Sequence, residues 1–463
     1  MSYATTNPFT GEVVKTFPNA TDTEVAQTLD KAQAAFEAWK NTAIAERVKV
    51  LQKAADLLRK SHTEYAKILT LEMGKVIGEA EGEVELSAQI LEYYVENAEK
   101  LLAPDKLPSK HPSYTESWVE HEPQGILLAI EPWNFPYYQI VRIAAPQLAA
   151  GNVLILKHAS NVPQCAAAFE KLFREAGLPE GGFTNLYATR DQIKAIIEDP
   201  RVQGVALTGS EGAGAVVAAQ AGNALKKSTM ELGGADAFVV LADADLDKAV
   251  QWAVTGRHWN AGQVCCSSKR IIVLDEIYDA FLEKYKAGVA KLKAGDPMDP
   301  STTLAPLSSQ GAVNDLKKQV EQAVAHGATA EVIGAEVPAT GAFFRPTLLS
   351  NVSDDNPAHY WEFFGPVSQV IRAKDEAEAI RIANDSPFGL GGSVFTKDIK
   401  HGVEVAQKIS TGMVYINHPT GVAADLPFGG VRRSGYGREL VGLGIKEFVN
   451  HKLIAVTDID GAF

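Results

Sequence analysis

QGILLAIEPWNFPYYQIVRIAAPQLAAGNVLILK, residues 124–157, holds the pattern that decides the fold. Two short apolar runs, QGILLAI at its start and NVLILK at its end, are predicted to be strands. Between them, the stretch from Tyr137 to Ala150 is long enough for a helix, and a glycine follows it. A strand, a helix and a second strand in this order predict two parallel strands with the helix packed on one face of their sheet.

The same alternation continues along the chain. Helix PQCAAAFEKLFREAG is followed by strand GVALTG and by the Ala-rich helix EGAGAVVAAQAGNALKK. A second series of short apolar strands and helices begins near residue 237 and runs to MVYIN. Residues 21–102 are predicted to be helical, with Thr21 and Glu24 forming a capping box at the first helix. We therefore expect an α/β protein built around a parallel sheet.

The composition restricts the classes of partner. The chain has 463 residues and a net charge of −13, and no run of lysine or arginine exceeds two residues. These features argue against nucleic acid and anionic membranes as partners. The chain has only three cysteines and no signal-peptide pattern, which favours a reducing compartment. Its apolar stretches are too short to span a membrane. We expect a cytoplasmic protein, and no metal site is predicted.

The junction TGSEGAG, residues 208–214, links a predicted strand to a predicted helix. Its glycines would let the backbone approach a dinucleotide phosphate, and a helix N-terminus favours negative charge. The spacing is G-x-x-G-x-G rather than G-x-G-x-x-G, so a simple tight turn is an equal alternative.

Three other segments contain side chains suited to catalysis. In EPWNFP, Asn134 either donates to a developing oxyanion or satisfies the backbone of its own turn. In MELGGADAF, Glu231 is either a general base in a buried setting or a solvated strand end. In NAGQVCCSSKR, Cys265 is either a nucleophile or a small buried residue beside Cys266.

Taken together, the motifs resemble those of the NAD(P)-dependent aldehyde dehydrogenases. WNFP, TGS-x-x-x-G, ELGG, GQ-x-C, E-x-F-GPV and PFGG-x-x-x-SG-x-GRE occur in that family's order and spacing, over essentially the whole chain. Within the superfamily the chain is most similar to the bacterial succinate-semialdehyde dehydrogenases, notably in EPWNFPYYQIVR, LKHAS and NAGQVC-x-SSKR. The resemblance implies a Rossmann-type cofactor domain, an α/β catalytic domain and a β oligomerisation arm.

The resemblance also implies a reaction in two halves. The Cys265 thiol attacks an aldehyde while the Asn134 side-chain amide and the Cys265 backbone N–H hold the oxyanion. Hydride passes to the nicotinamide, and Glu231 then activates the water that hydrolyses the thioester. Cys266 has no role in this pattern, and Glu439 matches a residue placed in a proton relay.

A cofactor site follows from the same resemblance. It implies that Lys157 contacts the adenosine ribose and that Gly209, Ser210 and Gly214 contact the pyrophosphate. Trp133 would line the cofactor pocket, and Glu362 and Phe364 would contact the nicotinamide end. Many NAD-preferring relatives have a Glu three residues after the strand-end lysine, where this chain has Ser160. Without that carboxylate a 2′-phosphate meets no repulsion. We therefore expect NADP+ to be preferred, with NAD+ also accepted.

Arg142 is the candidate for recognising the substrate. It lies eight residues after Asn134, about two helical turns, and is therefore expected to point into the aldehyde channel. Similar enzymes that oxidise succinic semialdehyde have Arg there, and a guanidinium can hold the distal carboxylate; the alternative is a surface arginine paired with an acid. Many of those enzymes have a second arginine where this chain has Trp259. The other candidates to line the channel are Tyr137, Tyr138 and Trp259.

The resemblance suggests domain boundaries and an assembly. The cofactor domain would be 1–102 with 123–232, the catalytic domain 233–433, and the oligomerisation arm 103–122 with 434–463. SYTESWVEHE and KEFVNHKLIAV are expected to pair across subunits of a homodimer or homotetramer. Competing hypotheses are an inactive relative, a cysteine hydrolase or acyltransferase with a histidine base, and an aldehyde dehydrogenase for another small aldehyde.

Overall fold

The computed structural model describes residues 2–111 and 113–461. Its helices are α1 Asp22–Trp39, α2 Ile44–Lys60, α3 His62–Met73, α4 Ile77–Leu101, α5 Pro136–Ala150, α6 Pro163–Ala176, α7 Arg190–Glu198, α8 Glu211–Asn223, α9 Leu246–His258, α10 Asp275–Val289, α11 Gln310–Ala325, α12 Glu376–Asn384, α13 Ile399–Ala406 and α14 Val441–Ile445. Its strands are β1 Tyr3–Thr6, β2 Val13–Phe17, β3 Asp105–Lys106, β4 Tyr114–Pro123, β5 Ile126–Glu131, β6 Val153–His158, β7 Phe183–Asn185, β8 Val202–Thr208, β9 Lys227–Glu231, β10 Ala237–Val240, β11 Arg270–Leu274, β12 Thr329–Val332, β13 Thr347–Ser350, β14 Val367–Ala373, β15 Phe388–Gly389, β16 Gly392–Phe395, β17 Tyr415–Ile416, β18 Val431–Arg432, β19 Gly435–Tyr436 and β20 Val449–Thr457.

The start of α1 confirms the predicted capping box. The Thr21 side chain accepts a hydrogen bond from the Glu24 backbone N–H, and the Glu24 carboxylate accepts one from the Thr21 backbone N–H. Among the described residues, no helix combines the length and the apolar character needed to cross a membrane.

The strands of the quoted stretch and of the series that follows it form a six-stranded sheet in the order β19-β9-β8-β5-β6-β7. β9, β8, β5, β6 and β7 run parallel, and β19 is antiparallel to β9. The register pairs Ile130 with Leu207 and Thr208 with Glu231. The predicted parallel arrangement is therefore confirmed, and it places the carboxyl ends of β5, β8 and β9 side by side.

Helix α5 packs between this sheet and α4, and each of its residues is buried. Polar side chains on α5 must therefore find partners inside the protein. Gln147, for example, donates from Nε2 to the Gly444 carbonyl at 2.8 Å. Gln139 and Arg142, on the same helix, lie near the carboxyl edge of the sheet.

The second series forms a seven-stranded sheet in the order β12-β13-β14-β11-β10-β16-β17. Its neighbouring strands are parallel, except that β12 is antiparallel to β13. Apolar clusters cover both of its faces. The connection from α9 to β11 carries the two adjacent cysteines, so this sheet supplies the second wall of the site.

A small third sheet, in the order β20-β4-β3, contains the two segments predicted to join subunits. β4 and β20 pair with each other inside one chain, in antiparallel register from Pro123 with Val449 to Tyr114 with Thr457. The two runs thus pair with each other within the chain, and their pairing across subunits stays a prediction, which would have to use a free edge of this sheet. Within the predicted C-terminal part of the arm, β19 joins the first sheet and α14 packs on α4 and α5, so only the later residues belong to the third sheet.

Candidate active site

The two adjacent cysteines follow a sharply bent loop between α9 and β11. Residues 260–262 have left-handed backbone, with φ values of 49°, 53° and 76°. Gly262 is required in this bend because a Cβ there would lie 2.5 Å from the Gly365 carbonyl oxygen. The loop leaves Cys265 partly exposed and Cys266 buried.

Asn134 lies in the turn between β5 and α5, directly against the cysteine loop. Its Nδ2 donates to the Gln263 carbonyl at 3.0 Å, and its own carbonyl accepts from Asn260 Nδ2 at 2.9 Å. An amide nitrogen has two hydrogens, so the second N–H of Asn134 can serve a ligand bound in front of Cys265.

Glu231 is the last residue of β9, and its side chain is buried. Burial raises the pKa of Glu231 well above the ordinary carboxyl range, while Arg142 acts in the opposite direction. Neither carboxylate oxygen has a hydrogen-bond partner among the described residues. A carboxyl in such a setting can accept a proton at physiological pH, as a general base must.

Cys265, Asn134 and Glu231 line one cavity of about 280 Å³. Its other lining residues are Pro132, Trp133, Gln139, Thr208, Gly209, Ser210, Leu232, Gly233, Glu362 and Phe364. The fold thus brings the three residues predicted to be catalytic into the same space as several of the predicted cofactor residues.

The surroundings of Cys265 favour its ionised form. A hydrogen bond from Cys266 lowers the pKa of the Cys265 thiol, burial opposes this effect, and Lys269 and Arg142 lower the pKa further. Lys269 Nζ also donates to the Cys265 carbonyl at 2.7 Å. Because the thiolate is the nucleophilic form, these contacts activate Cys265 without a histidine. The nearest histidine in sequence, His258, has a pKa that burial lowers to about 3, and its Nδ1 lies 2.9 Å from a backbone carbonyl.

Helix α8 begins at the TGSEGAG junction, with Ser210 as its N-cap residue. The Ser210 hydroxyl accepts from the Ala213 N–H at 3.3 Å. A Cβ added at Gly209 would meet only a leucine side chain, at 3.7 Å, so the backbone there is open to a ligand. At Gly214 a Cβ would lie 2.5 Å from Leu232, which gives this glycine a packing role in bringing α8 close to its neighbour.

Glu362 and Phe364 form the opposite wall of the cavity. The Glu362 carboxylate accepts from the Gly234 N–H at 3.1 Å and pairs with Lys269 Nζ at 3.0 Å. The Phe364 ring packs edge-on against Trp133, with 5.7 Å between the ring centres. The two aromatic rings therefore make an apolar corner in the cavity that contains Cys265.

Lys157 and Ser160 lie farther along the same edge of the sheet. With Arg190, the first residue of α7, they line a cavity of about 480 Å³. Lys157 and Arg190 also line an adjoining cavity of about 410 Å³ against α8, and Ser210 lines both that cavity and the one containing Cys265. Burial lowers the pKa of Lys157, and the nearby charge of Arg190 lowers it further. A groove with two neighbouring cations at one end and a thiol at the other fits a dinucleotide that carries an additional phosphate.

Arg142 lies at the base of the site in a more restricted setting than its position in the sequence predicts. Its side chain is 1% exposed, its Nε contacts the Glu439 carboxylate, and its Nη2 donates to Thr208 Oγ1 at 3.0 Å. Its guanidinium also packs 4.7 Å from the centre of the Phe428 ring. Arg142 is therefore a buried, paired cation and not a free one, because α5 has no exposed face.

Of the three aromatic candidates for the channel, one is placed elsewhere. Tyr137 stacks on Phe169, and its hydroxyl donates to the Tyr65 carbonyl at 3.0 Å. Tyr137 therefore does not line the channel, because adjacent residues of a helix point in different directions. Tyr138 lies on the face of Arg142, with the guanidinium 5.0 Å from its ring centre. Trp259 packs on Phe135 beside the cysteine loop.

The sequence profile of the aldehyde dehydrogenase family matches residues 1–454. The chain belongs to the aldehyde dehydrogenase family. This membership confirms the resemblance inferred from the ordered motifs.

Within the aldehyde dehydrogenase family, similar proteins cover nearly the whole chain. A protein of Deinococcus radiodurans named succinate-semialdehyde dehydrogenase (NADP+) is 48% identical over 98% of this chain and 94% of its own length. One of Mycobacterium tuberculosis named succinate-semialdehyde dehydrogenase (NADP+) 1 is 45% identical over 98% of this chain and 99% of its own. A crystal structure of succinic semialdehyde dehydrogenase from Streptococcus pyogenes, in complex with NADP+, superposes with a TM-score of 0.96 at 45% identity, covering 98% of this chain and 100% of that one.

Three residues of the site were not predicted from the sequence. Gln139 is buried, lines the cavity with Cys265 and has no partner for its amide oxygen among the described residues. Lys269 pairs with Glu362, and Arg190 joins Lys157. Gln139 could have been found from the sequence, because it lies three residues before Arg142 and so shares its face of the helix. Arg190 could not, because it lies far from Lys157 in the chain and no local pattern connects the two.

Proposed function

We propose that this chain oxidises succinic semialdehyde to succinate with NADP+, through a thiohemiacetal and a thioester on Cys265. The observation that carries this proposal is the single cavity lined by Cys265, Asn134 and Glu231 next to the open backbone of Gly209. The substrate and cofactor come from the names of relatives that are 45–48% identical over nearly the whole chain.

In the first half-reaction the chain's own groups form and hold the adduct. The Cys265 thiolate attacks the aldehyde carbon, and the free N–H of the Asn134 amide, together with the Cys265 backbone N–H, donates to the oxyanion that forms. NADP+, when bound, supplies the hydride acceptor that converts this adduct into a thioester. Lys157, Ser160 and Arg190 would hold the phosphate-bearing end of that cofactor.

In the second half-reaction Glu231 acts as general base. Its carboxylate takes a proton from water, the hydroxide attacks the thioester carbon, and the Cys265 thiolate leaves as the acid is released. Burial of Glu231 suits this role because it raises the basicity of the carboxylate.

The pair formed by Arg142 and Glu439 beneath the site would select the substrate. Arg142 is the one cationic side chain of α5, and it would bind the distal carboxylate of succinic semialdehyde in place of Glu439. Tyr138 and Trp259 would line the approach.

We also propose the predicted domain division, with 1–102 and 123–232 for the cofactor and 233–433 for catalysis, and a cytoplasmic homodimer or homotetramer. Support comes from three unpaired cysteines and from the exposed edge of the third sheet.

A panel of aldehydes with NADP+ and NAD+ tests the proposed function. We expect succinic semialdehyde to have the highest kcat/KM, above butanal, which has the same chain length and no charge. A higher kcat/KM for butanal would instead identify an aldehyde dehydrogenase for another small aldehyde.

A further inference from the structure

Two carboxylates of helix α4 contact the two chain segments that meet where Asn134 donates to the Gln263 carbonyl. Glu79 and Glu83 are four residues apart, so they project from the same face of the helix. Neither residue lines the cavity that contains Cys265. The mechanism proposed above gives them no role.

Glu83 holds the first turn of α5, which follows the turn containing the amide donor. The N-cap residue of α5, Phe135, makes no side-chain capping bond, and the first N–H groups of any helix lack partners within it. Glu83 Oε1 accepts from the backbone N–H groups of Tyr137 at 2.8 Å and Tyr138 at 3.1 Å. Its other oxygen contacts Lys75 Nζ. A carboxylate from another helix therefore caps α5 and fixes where it begins.

Glu79 holds the cysteine loop at its left-handed bend. Its two carboxylate oxygens accept from the Asn260 backbone N–H, at 3.1 and 3.0 Å. Few residues other than glycine adopt a left-handed conformation, so the contacts made by Asn260 help to keep it there. Asn260 Nδ2 in turn donates to the Asn134 carbonyl at 2.9 Å and to the Gln263 carbonyl at 3.3 Å. Glu79 is thereby connected to the amide donor and to the loop that carries the thiol.

We propose that Glu79 and Glu83 are positioning residues, and that helix α4 uses them to set the distance between the Asn134 amide and the Cys265 sulfur. The proposal rests on the roles of Asn134 and Cys265 in the proposed function. Glu79 acts through Asn260, and Glu83 acts through the first turn of α5. Such contacts matter for rate because a displacement of about 1 Å can cost about 10²-fold.

Substitutions at Glu79 test the proposal, with Glu85→Gln as the matched control. Glu85 lies on the same helix, but its carboxylate is partly exposed and pairs with Arg59 at 2.9 Å. The assay is hydrolysis of p-nitrophenyl acetate without cofactor, because this ester needs the thiol and the oxyanion donor but neither a nicotinamide nor an aldehyde. Burial raises the pKa of Glu79 to about 7 and Lys75 opposes it, so an assay near pH 9 keeps Glu79 ionised.

We expect Glu79→Ala to lower kcat about 10-fold and to leave KM within about twofold, because the oxyanion donor is displaced and not removed. Glu79→Gln keeps an acceptor for the Asn260 N–H and should recover most of the loss, and Glu85→Gln should keep the wild-type kcat. In an Asn134→Ala background, Glu79→Ala should add less than about twofold, because both changes disturb the same donor.

Three outcomes overturn the proposal. The first is that the fold-losses in kcat from Glu79→Ala and Asn134→Ala multiply in the double variant. The second is that Glu79→Gln has as low a kcat as Glu79→Ala. The third is that Glu85→Gln shows the same loss of kcat. Thermal unfolding is measured for every variant. If Glu79→Ala does not fold, Glu79→Asp is used in its place, because aspartate is one methylene shorter and draws the carboxylate back from Asn260. Its loss of kcat is likewise expected not to multiply with that of Asn134→Ala.

The ester assay separates this proposal from the proposed function. If the wild-type enzyme hydrolyses the ester but does not oxidise succinic semialdehyde, the substrate assignment fails and the positioning role is still tested. If Cys265→Ala hydrolyses the ester as fast as the wild type, the nucleophile is misassigned and the positioning role falls with it.

Discussion

Cys265 and Cys266 are neighbours in the chain with different surroundings. Cys265 lines the central cavity, whereas Cys266 is buried with its Sγ 3.9 Å from the Thr420 carbonyl oxygen. We expect Cys265→Ala to abolish dehydrogenase turnover and Cys266→Ala to keep most of it. Loss of the Cys266 hydrogen bond should move the alkylation of Cys265 to higher pH, because that bond lowers the pKa of the thiol.

Iodoacetamide inactivation followed by mass spectrometry checks this pair of substitutions. The first alkylation should fall on Cys265. A fully inactivated enzyme labelled only on Cys266 would show that the assignment is reversed.

Glu231 leads to a pH dependence of the second half-reaction. A carboxyl with a raised pKa stays neutral to higher pH, and only its ionised form can take a proton from water. We therefore expect the rate of thioester hydrolysis to increase as the pH rises through the raised pKa of Glu231. Stopped-flow measurement of the steady-state rate after the burst follows this step.

Glu231→Gln is the matching variant. It should lose hydrolysis by at least about 10²-fold and still allow alkylation of Cys265. Normal turnover in this variant would remove Glu231 from the mechanism.

Arg142 combines a structural pairing with a proposed role in substrate binding, and two substrates can separate these roles. Arg142→Gln removes the charge but keeps a donor for Thr208. Loss of one member of a desolvated charge pair costs about 2–5 kcal/mol, so kcat/KM for succinic semialdehyde should fall by roughly 30-fold or more, while butanal should be little affected. Equal losses for the two aldehydes would mean that Arg142 acts only through its contact with Glu439.

Helix α5 shows what periodicity can and cannot predict. Residues four apart share a face, and Tyr138 and Arg142 do lie together. The helix is buried along its whole length, so it has no polar face to indicate which side meets the site. The sequence therefore did not exclude Tyr137, which packs on Phe169 on another side of the helix.

We expect the end of β6 and the start of α7 to decide cofactor choice. Ser160→Glu would place a carboxylate beside Lys157 and Arg190, where the 2′-phosphate of NADP+ is expected to bind. The carboxylate and the phosphate are both negative, and two like charges 4 Å apart repel by about 1 kcal/mol in water and by more when partly desolvated. We expect kcat/KM for NADP+ to fall about 10-fold, with NAD+ favoured as a result. Lys194→Ala is the control, because this lysine lies on α7 but is paired with Glu198 at 3.9 Å. Wild-type kcat/KM for NAD+ that is ten times higher than for NADP+ would contradict this prediction.

At the scale of the whole molecule, the third sheet has one long unpaired edge among the described residues. β20 pairs only with β4, and the side chains of Leu453 and Val456 are 60% and 42% exposed. Apolar residues on such an edge favour pairing with another chain. We expect sedimentation velocity to show a homodimer or homotetramer that Leu453→Lys converts to a smaller species. Ile399→Lys, at an exposed apolar residue of α13, should not change the assembly, and a monomeric wild type would refute the expectation.

The sequence by itself determined the alternation of strands and helices and the family, and it predicted which groups are reactive. These features are local: apolar runs indicate the strands, a capping box indicates the start of α1, and short motifs predict the roles of Cys265, Asn134 and Glu231. Each depends on residues within a few positions of one another. The composition also argued against nucleic acid and anionic membranes as partners, because the net charge depends only on the number of charged residues and not on where they lie.

Only the tertiary structure decided how those groups are surrounded. Glu231 meets Cys265 because the end of β9 faces the loop between α9 and β11, and Arg142 is paired because Glu439 packs beneath α5. The pairing of β4 with β20 inside one chain has the same origin. Contacts between distant segments depend on how sheets and helices pack together, and no short pattern in the chain encodes that packing.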